Sequence, residues 1–406
     1  MEQYKIDRLG HQGDGIAEGP VYVPGALPGE IVQGTLDGSV LRDAKIIEPS
    51  SDRVRPPCSH AKSCGGCQLQ HASDDFVAKW KMEVVERALA AHGITTQMRP
   101  ILTSPAQSRR RAAFSAKRTK KAAIAGFHKK QSDIVIAIPN CQLVHPDVMA
   151  ALPLVEELAV VGGSRKGEIS VLVTLTDSGL DLSVSGGKPI DDALRITLSD
   201  LTRKYNIARI SWDDEIALQR EKPILRLGNA PVSPPPGAFL QATKDGEAAL
   251  VAAVQEIVGS GKRVADLFAG CGTFALPLAE KAEVLAVEGD KAMTHALEEG
   301  WRQGKNLKKL TPLARDLFRN PLLPDELAKM DALVIDPPRA GAEAQVAQIA
   351  KSNVPVIAHV SCNPTTFARD CGTLIAAGYQ LDWVQTVDQF RWSTHVEVVG
   401  CLTKRK

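Results

Sequence analysis

The chain has 406 residues, of which 44% are hydrophobic and 24% charged, and its formal net charge is +2. This length exceeds what one hydrophobic core usually organises, so we expect two or three domains. No apolar run is long enough to span a bilayer, and the first residues lack the basic-then-apolar layout of a signal peptide, so we expect a cytoplasmic protein. The small net charge gives no argument for nucleic-acid binding by itself.

The first predicted domain covers residues 1–52. Apolar and polar positions alternate there, with turn signals such as Gly13-Asp14-Gly15. Short strands at this spacing predict a small β-barrel. Barrels of this size often bind oligonucleotides, although a purely structural use is nearly as common.

The second predicted domain, residues 53–230, carries an unusual cysteine pattern. A helix is predicted at 74–91 and strands at 134–138, 168–175 and 180–184. A Cys-x2-Cys pair with two intervening glycines can turn both thiolates toward one metal centre. Zinc and an iron-sulfur cluster both fit the set, and chance clustering is the alternative. The set is Cys58, Cys64, Cys67 and Cys141.

The same domain contains a strongly basic run. Residues 109–130 hold nine lysines and arginines and no acids, interleaved with Phe114, Phe127 and His128. A solvated basic face is the ordinary interpretation of such a run. Because basic residues with aromatic neighbours also suit a phosphate backbone and unstacked bases, we favour contact with RNA or DNA.

The third predicted domain, residues 231–406, opens with a proline-rich segment, 231–236, which we interpret as a linker or rim loop. A helix is predicted at 244–258, and apolar strands at 263–268, 283–287, 332–335 and 356–360. This alternation predicts a parallel sheet covered on both faces. Ligands of such sheets bind beyond the carboxyl ends of the strands.

Acidic residues follow several of these strands. Residues 270–275 match the dinucleotide pattern G-x-G-x-x-A, with Glu288 at a suitable distance for a ribose. Asp266 and Asp336 favour S-adenosylmethionine instead, because its sulfonium and amino group are cationic. Glu288 would then accept from the ribose hydroxyls and Asp316 from the adenine amine. Helix capping is the structural alternative for these acids.

Cys362 follows the last of these strands, between Ser361 and Asn363. A lone cysteine after a strand is most often a buried small hydrophobe. A position facing the expected cofactor fits a thiolate nucleophile instead. Cys271, Cys371 and Cys401 lack such a setting and are predicted to be core residues.

The motifs together resemble the bacterial RNA uracil-5-methyltransferase family over nearly the whole chain. They are Phe239-Leu240-Gln241, residues 266–274, 336–339 (Asp-Pro-Pro-Arg) and 361–364 (Ser-Cys-Asn-Pro), and 388–390 (Asp-Gln-Phe) through 395–397 (His-Val-Glu). The resemblance implies an α/β fold with three parts. These are an N-terminal OB-type TRAM barrel, a central α+β iron-sulfur and RNA-binding domain, and a C-terminal Rossmann-like S-adenosylmethionine methyltransferase domain with a parallel-rich sheet.

The resemblance also implies roles for individual residues. The four cysteines would hold a 4Fe-4S cluster, Cys362 would be the nucleophile and Glu397 the base. Family members with both barrel and cluster mostly modify 23S ribosomal RNA, whereas the transfer-RNA enzymes usually lack them, so 23S ribosomal RNA is favoured. We expect a monomer with no membrane partner. The residues implied for S-adenosylmethionine are Gln241, Phe268, Thr273, Glu288, Asp316 and Asp336.

Two departures from the family pattern leave the finer substrate contacts open. Ala242-Thr243 stands where many members have an aliphatic residue and asparagine, and Arg391-Trp392-Ser393 replaces proline-histidine-threonine.

The implied chemistry explains the residue types. Carbon 5 of uracil is a weak nucleophile, so the Cys362 thiolate adds first to carbon 6 and makes an enolate that takes the methyl group. Glu397 then removes the proton from carbon 5. The base must leave its stack, and Phe239 or Phe268 could stack on it.

Other functions stay open at this point. The substrate could be transfer RNA, and a nitrogen methyltransferase would use Asp336-Pro337-Pro338 and leave Cys362 idle. A non-catalytic RNA-binding factor would use only the barrel, the cysteines and the basic run.

Overall fold

The computed structural model describes residues 2–213 and 215–405, and its first five strands close a small barrel. The barrel order is β1-β2-β3-β5-β4, and Ile6, Val23, Val32 and Leu41 fill its interior. The barrel predicted from the alternating pattern is therefore confirmed. Its strands are β1 (Glu2–Leu9), β2 (Gly15–Ala17), β3 (Val21–Val23), β4 (Ile31–Asp37) and β5 (Val40–Glu48).

The central region forms a second sheet, in the order β13-β12-β11-β10-β7-β8-β9. Phe114, Val171, Leu182 and Trp212 are buried in its core. The predicted helix and the three predicted strands correspond to α1, β9, β10 and β11. The elements are α1 (Asp74–Ala90), β6 (Gln97–Thr103), β7 (Arg111–Arg118), β8 (Ala123–His128), β9 (Val135–Ala137), α2 (Pro146–Met149), α3 (Leu152–Gly162), β10 (Glu168–Thr176), β11 (Gly179–Ser185), α4 (Asp192–Lys204), β12 (Ile207–Trp212) and β13 (Glu215–Gln219).

A short hairpin separates this sheet from the third region. It consists of β14 (Leu225–Leu227) and β15 (Ala230–Val232), which pair antiparallel. The interpretation of 231–236 as a loop is therefore wrong for its first two residues. Pro231 fits a strand here because a two-stranded hairpin leaves its missing N–H on an outer edge.

The third region is built on a large mixed sheet in the order β18-β17-β16-β19-β20-β22-β21-β6. The strands from β18 to β20 are parallel, and β22 is antiparallel to both of its neighbours. The order reverses between β16 and β19, which is where ligands bind in such sheets. The elements are α5 (Lys244–Val258), β16 (Arg263–Leu267), α6 (Ala275–Leu278), β17 (Glu283–Glu288), α7 (Lys291–Gln303), β18 (Leu310–Ala314), α8 (Pro324–Leu327), β19 (Ala332–Ile335), α9 (Glu343–Ile349), β20 (Val356–Ser361), α10 (Pro364–Ala376), β21 (Tyr379–Asp388) and β22 (Glu397–Lys404).

Two elements of the second predicted domain, a strand and a helix, belong to this third region. Strand β6 pairs in parallel with β21 at the sheet edge, and Val85 and Leu89 of α1 lie in the same core as α10. The sheet therefore draws on both sides of the boundary predicted at residue 230. Within the described residues, no helix combines the length and apolar character needed to cross a membrane.

Candidate active site

The glycine loop that follows β16 turns sharply where that strand ends. Phe268, Gly270 and Gly272 all have positive φ angles, of 64°, 55° and 98°. A Cβ on Gly272 would lie 2.8 Å from the Leu276 side chain, so the loop needs glycine there for space as well as for conformation. The loop is a compact turn at the carboxyl end of β16.

Glu288, the last residue of β17, fastens this loop. Its Oε2 accepts the Gly270 N–H at 2.9 Å, and its Oε1 accepts the Asp290 N–H at 2.8 Å. The carboxylate is therefore fixed in position beside the loop and faces the space above it.

That space is a cavity of about 600 Å³ above the switch point of the sheet. Every residue that the family resemblance implied for cofactor binding or catalysis lines it. They are Gln241, Phe268, Thr273, Glu288, Asp316, Asp336, Cys362 and Glu397. The structure therefore brings the whole predicted set together from strands and loops that are far apart in sequence.

One side of the cavity combines aromatic rings with a carboxylate. The rings of Phe268 and Phe318 lie 5.3 Å apart between centroids. Asp316 accepts the backbone N–H of Phe318 at 2.9 Å, so it caps its own loop while also facing the cavity. Phe318 carries no motif, and the sequence analysis missed it.

Cys362 and Glu397 are neighbours because their strands are neighbours. Cys362 follows β20 directly and Glu397 begins β22, and these two strands pair antiparallel with Ser361 opposite Val398. Asp336 follows β19, the strand on the other side of β20. A thiol and two carboxyls therefore meet at one end of three adjacent strands.

These three groups all resist ionisation. Burial raises the pKa of Asp336 to about 7. Burial, followed by repulsion from Asp336, raises the pKa of Glu397 to about 8. Burial and the negative charges of Glu397 and Asp336 raise the pKa of the Cys362 thiol to about 11.

Arg339 supplies positive charge at this cluster. The positive charge of its guanidinium stabilises nearby negative charge and so lowers the pKa of both Cys362 and Glu397. It also lies 3.2 Å from Nδ1 of His395, whose own pKa is lowered by burial and then by Arg339. Both side chains line the cavity, although the sequence analysis gave neither a role.

Asp266 does not face the cavity. It is fully buried beneath the loop, and burial together with Asp336 raises its pKa well above the usual range. The expectation that Asp266 meets a cationic ligand is therefore wrong. A fully desolvated carboxyl stays protonated instead of presenting charge.

The four cysteines of the predicted metal site also line one small cavity. Its wall also includes the apolar side chains of Phe127, Ile138 and Leu143 and the polar side chains of His60 and Gln70. All four are free thiols, and burial raises the pKa of Cys67 to about 12. In the described part of the chain, no group of three or more His, Cys, Asp or Glu side chains is arranged to hold a metal ion. The thiols are Cys58, Cys64, Cys67 and Cys141.

The basic run divides into a buried and an exposed part. Arg110 is buried and forms an ion pair with Glu247, and Phe114 is fully buried with its ring stacked on Phe127. Arg110 and Phe114 therefore serve packing, and Phe114 is too buried to stack on bases. The exposed cations of the run are Lys120, Lys121, Lys129 and Lys130.

The sequence is similar to known proteins along its whole length. A family model described as tRNA (Uracil-5-)-methyltransferase matches residues 315–406. An uncharacterized RNA methyltransferase of Brucella suis is 43% identical over 99% of this chain and 98% of its own. The 23S rRNA (uracil(1939)-C(5))-methyltransferase RlmD of a Marinomonas species is 30% identical over 100% of this chain and 96% of its own.

A solved structure has the same fold. The Pyrococcus abyssi tRNA (uracil-54, C5)-methyltransferase, in complex with S-adenosyl-L-homocysteine, superposes with a TM-score of 0.78. It is 22% identical, and the match covers 99% of each chain. The arrangement of the barrel, the central sheet and the mixed sheet is therefore that of a known methyltransferase fold.

Proposed function

The chain belongs to the RNA uracil-5-methyltransferase family and uses S-adenosylmethionine to methylate RNA, and from that premise we propose that it modifies carbon 5 of a uridine in 23S ribosomal RNA. We infer that Cys362 is the nucleophile and Glu397 the base. The observation that supports both roles is their placement side by side in the cavity that also contains the expected cofactor residues. The RNA substrate makes the cytoplasm the expected compartment.

The lining of the cavity suits S-adenosylmethionine. Glu288 and Asp316 offer carboxylate oxygens to hydroxyl and amino groups, Phe268 offers an aromatic face, and Gln241 and Thr273 add polar contacts. When bound, S-adenosylmethionine supplies the methyl group that carbon 5 of the target base receives. Asp336 lies between this set and Cys362 and contributes to both.

The target base enters with carbon 6 against the Cys362 sulfur. The Cys362 thiol releases its proton to solvent, the thiolate sulfur forms a bond to carbon 6, and the ring electrons move to carbon 5 and the adjacent carbonyl oxygen. Arg339 favours the thiolate at this step because its charge opposes that of the two carboxylates. Asp336 and Gln241 hydrogen-bond the polar edge of the uracil.

Glu397 completes the reaction after methyl transfer. Its carboxylate takes the proton from carbon 5, the double bond between carbons 5 and 6 re-forms, and the bond from carbon 6 to sulfur breaks. The raised pKa of Glu397 suits this task, since a carboxylate that holds a proton more firmly is a stronger base.

Replacing the nucleophile tests this function. Cys362→Ala should abolish methyl transfer to unmodified transcripts of 23S ribosomal RNA, with S-adenosylmethionine affinity unchanged in calorimetry. The matched control is Cys371→Ala, a fully buried cysteine in α10 outside the cavity, which should retain transfer. Transfer that persists in Cys362→Ala would select a nitrogen methyltransferase instead. Faster methylation of transfer-RNA transcripts by the unaltered enzyme would overturn the ribosomal substrate.

We further propose that the four-cysteine cavity holds a 4Fe-4S cluster. A cluster of several irons needs its thiolates further apart than one zinc ion does, which binds sulfur at about 2.3 Å. Four free thiols that line one small cavity, with Phe127, Ile138 and Leu143 beside them, suit such a group. When bound, a cluster would tie the segment around Cys64 to the loop of Cys141. The exposed lysines nearby would then contact the RNA backbone.

Metal analysis checks this assignment. Protein purified without oxygen should contain about four irons and four sulfides per chain, and Cys67→Ser should lose most of both. Cys401→Ser, a buried cysteine in β22, is the matched control and should keep them. Stoichiometric zinc without sulfide, or iron that survives in Cys67→Ser, would contradict the assignment.

A further inference from the structure

The Gln389 side chain connects two groups of the cavity that the sequence places far apart. It is only 1% exposed and lies in the loop between β21 and β22. Its Oε1 accepts the backbone N–H of Ala242 at 2.8 Å. Because a backbone N–H can only donate, this contact fixes which end of the amide is oxygen and which is nitrogen.

The nitrogen of Gln389 therefore donates to Gln241, whose Oε1 lies 2.5 Å away. The Gln389 side chain also lowers the pKa of the neighbouring Glu397 carboxyl, which is the direction expected when a donor faces a carboxylate. One side chain thus contacts a residue expected to bind the base and the residue expected to remove its proton.

The contact also fixes the orientation of Gln241. Since its Oε1 accepts from Gln389, the Nε2 end with its two N–H donors is the end that can address a ligand in the cavity. Two donors suit a carbonyl oxygen such as O4 of uracil. They oppose the exocyclic amino group that cytosine carries at the same place.

A buried ion pair holds Gln389 itself in place. Lys81 of α1 donates to Oδ1 of Asp388 at 2.6 Å and to the Phe390 carbonyl at 3.1 Å. The same Asp388 oxygen accepts the Phe390 N–H at 3.0 Å. Both neighbours of Gln389 in the chain are therefore anchored, and its side chain has little freedom to turn.

We propose that Gln389 is a positioning residue that directs the donors of Gln241 toward a uracil carbonyl and holds the Glu397 carboxylate in place for proton removal. This inference rests on the proposed function, because it assumes a uridine substrate and Glu397 as the base. The charged or titratable groups around Glu397 are Asp336, Arg339, Cys362 and His395, and Gln389 is the neutral donor among them.

The test replaces Gln389 with methionine, which is similar in size and makes none of these hydrogen bonds. On unmodified 23S ribosomal RNA transcripts, the single-turnover rate should fall about 10- to 100-fold, as expected for loss of a hydrogen bond to a charged group. S-adenosylmethionine affinity should change much less than this rate, because Gln241 is only one of several residues that line the cofactor part of the cavity. The acidic limb of the pH–rate profile should move to higher pH, because Glu397 loses the donor that favours its ionised form.

Two further variants make the result specific. Gln345→Met removes a fully buried glutamine that bonds the N–H and carbonyl of Leu322 outside the cavity, and it should not move the pH profile. Gln389→Glu keeps the acceptor for Ala242 but removes both donors and adds charge beside Glu397. It should move the acidic limb further than methionine does, and it tests the proposal should Gln389→Met fail to fold.

Base discrimination gives an independent readout. The unaltered enzyme should bind a transcript with cytidine in place of the reactive uridine more weakly than the uridine transcript. In Gln389→Met, the ratio of these two affinities should be about tenfold smaller. An unchanged rate, pH profile and ratio in Gln389→Met would overturn the inference. Failure of the proposed function would look different, since the unaltered enzyme would then form no adduct with transcripts containing 5-fluorouridine.

Discussion

Glu397, the base in the proposed reaction, lies in surroundings that disfavour its ionised form. It is 4% exposed, and burial beside Asp336 raises its pKa to about 8. A base of this strength can accept a proton from carbon and still be ionised in part near neutral pH. The same burial means that the folded protein binds a proton there which the unfolded chain has already released.

The pH dependence of stability follows from this shift. Because the folded pKa of Glu397 is above the unfolded value of 4.5, its contribution to stability is fully present below pH 4.5. It is lost as pH rises toward 8. Glu397→Gln should therefore melt at nearly the same temperature as the unaltered protein at pH 5. At pH 8 it should be more stable by about 4 kcal/mol, measured by thermal unfolding.

A carboxylate with the opposite shift provides the control. The hydrogen bond from Arg99 lowers the pKa of the exposed Glu256, so Glu256→Gln should bring no gain in melting temperature at pH 8. If the difference in melting temperature between Glu397→Gln and the unaltered protein is the same at pH 5 and pH 8, the raised pKa of Glu397 is contradicted.

At the residue level, motif positions could be predicted but their partners could not. Cys362 and Glu397 stand in short motifs after strands, and both line the cavity as expected. Gln389 was visible only as the middle residue of the Asp-Gln-Phe motif, and Arg339 only as the last residue of the separate Asp-Pro-Pro-Arg motif. Their contacts depend on how three loops approach one another, which a linear pattern does not contain.

Among the elements, strands β16, β17, β19 and β20 were predicted because each is a short, continuous apolar run. Strand β18 was not predicted, because Thr311 and Pro312 interrupt its apolar residues. Helix α5 begins and ends where the pattern placed it, at Lys244 and Val258. The place of β6 could not be predicted, because it pairs with β21, nearly three hundred residues later, and such pairing depends on which sheet edge is left open.

The Arg391-Trp392-Ser393 departure from the family pattern makes contacts between separate parts of the fold. The Trp392 carbonyl accepts the backbone N–H groups of Gln68 and Leu69, each at 2.9 Å, and its indole donates to Asp74 of α1 at 3.2 Å. Arg391 forms an ion pair with the same Asp74. These residues join the loop before β22 to the segment that follows Cys67, and they do not line the cavity.

The other departure from the family pattern, Ala242-Thr243, has a local structural role. Thr243 is the N-cap of α5, where its hydroxyl accepts the Gly246 N–H at 3.0 Å. The same hydroxyl lies 2.7 Å from that of Ser104, just after β6. A threonine here therefore fixes the start of α5 immediately after Gln241.

Over the whole molecule, the barrel and the catalytic sheet are joined through a shared apolar cluster. Leu9 and Leu27 of the barrel region pack with Leu69, Val77 and Trp80. Because α1 also packs against α10, this cluster links the barrel to the helices that cover the active-site sheet. The barrel and the mixed sheet that carries the candidate site are therefore joined by continuous apolar packing.

The most direct test of the account is to trap the covalent intermediate. The protein and S-adenosylmethionine are incubated with 23S ribosomal RNA transcripts containing 5-fluorouridine, and a complex that resists denaturation is sought. Fluorine cannot leave carbon 5 as a proton does, so the adduct should persist and map to Cys362 in peptide analysis. If S-adenosylmethionine binds but no complex forms, on ribosomal or transfer RNA, the nucleophilic role of Cys362 is contradicted.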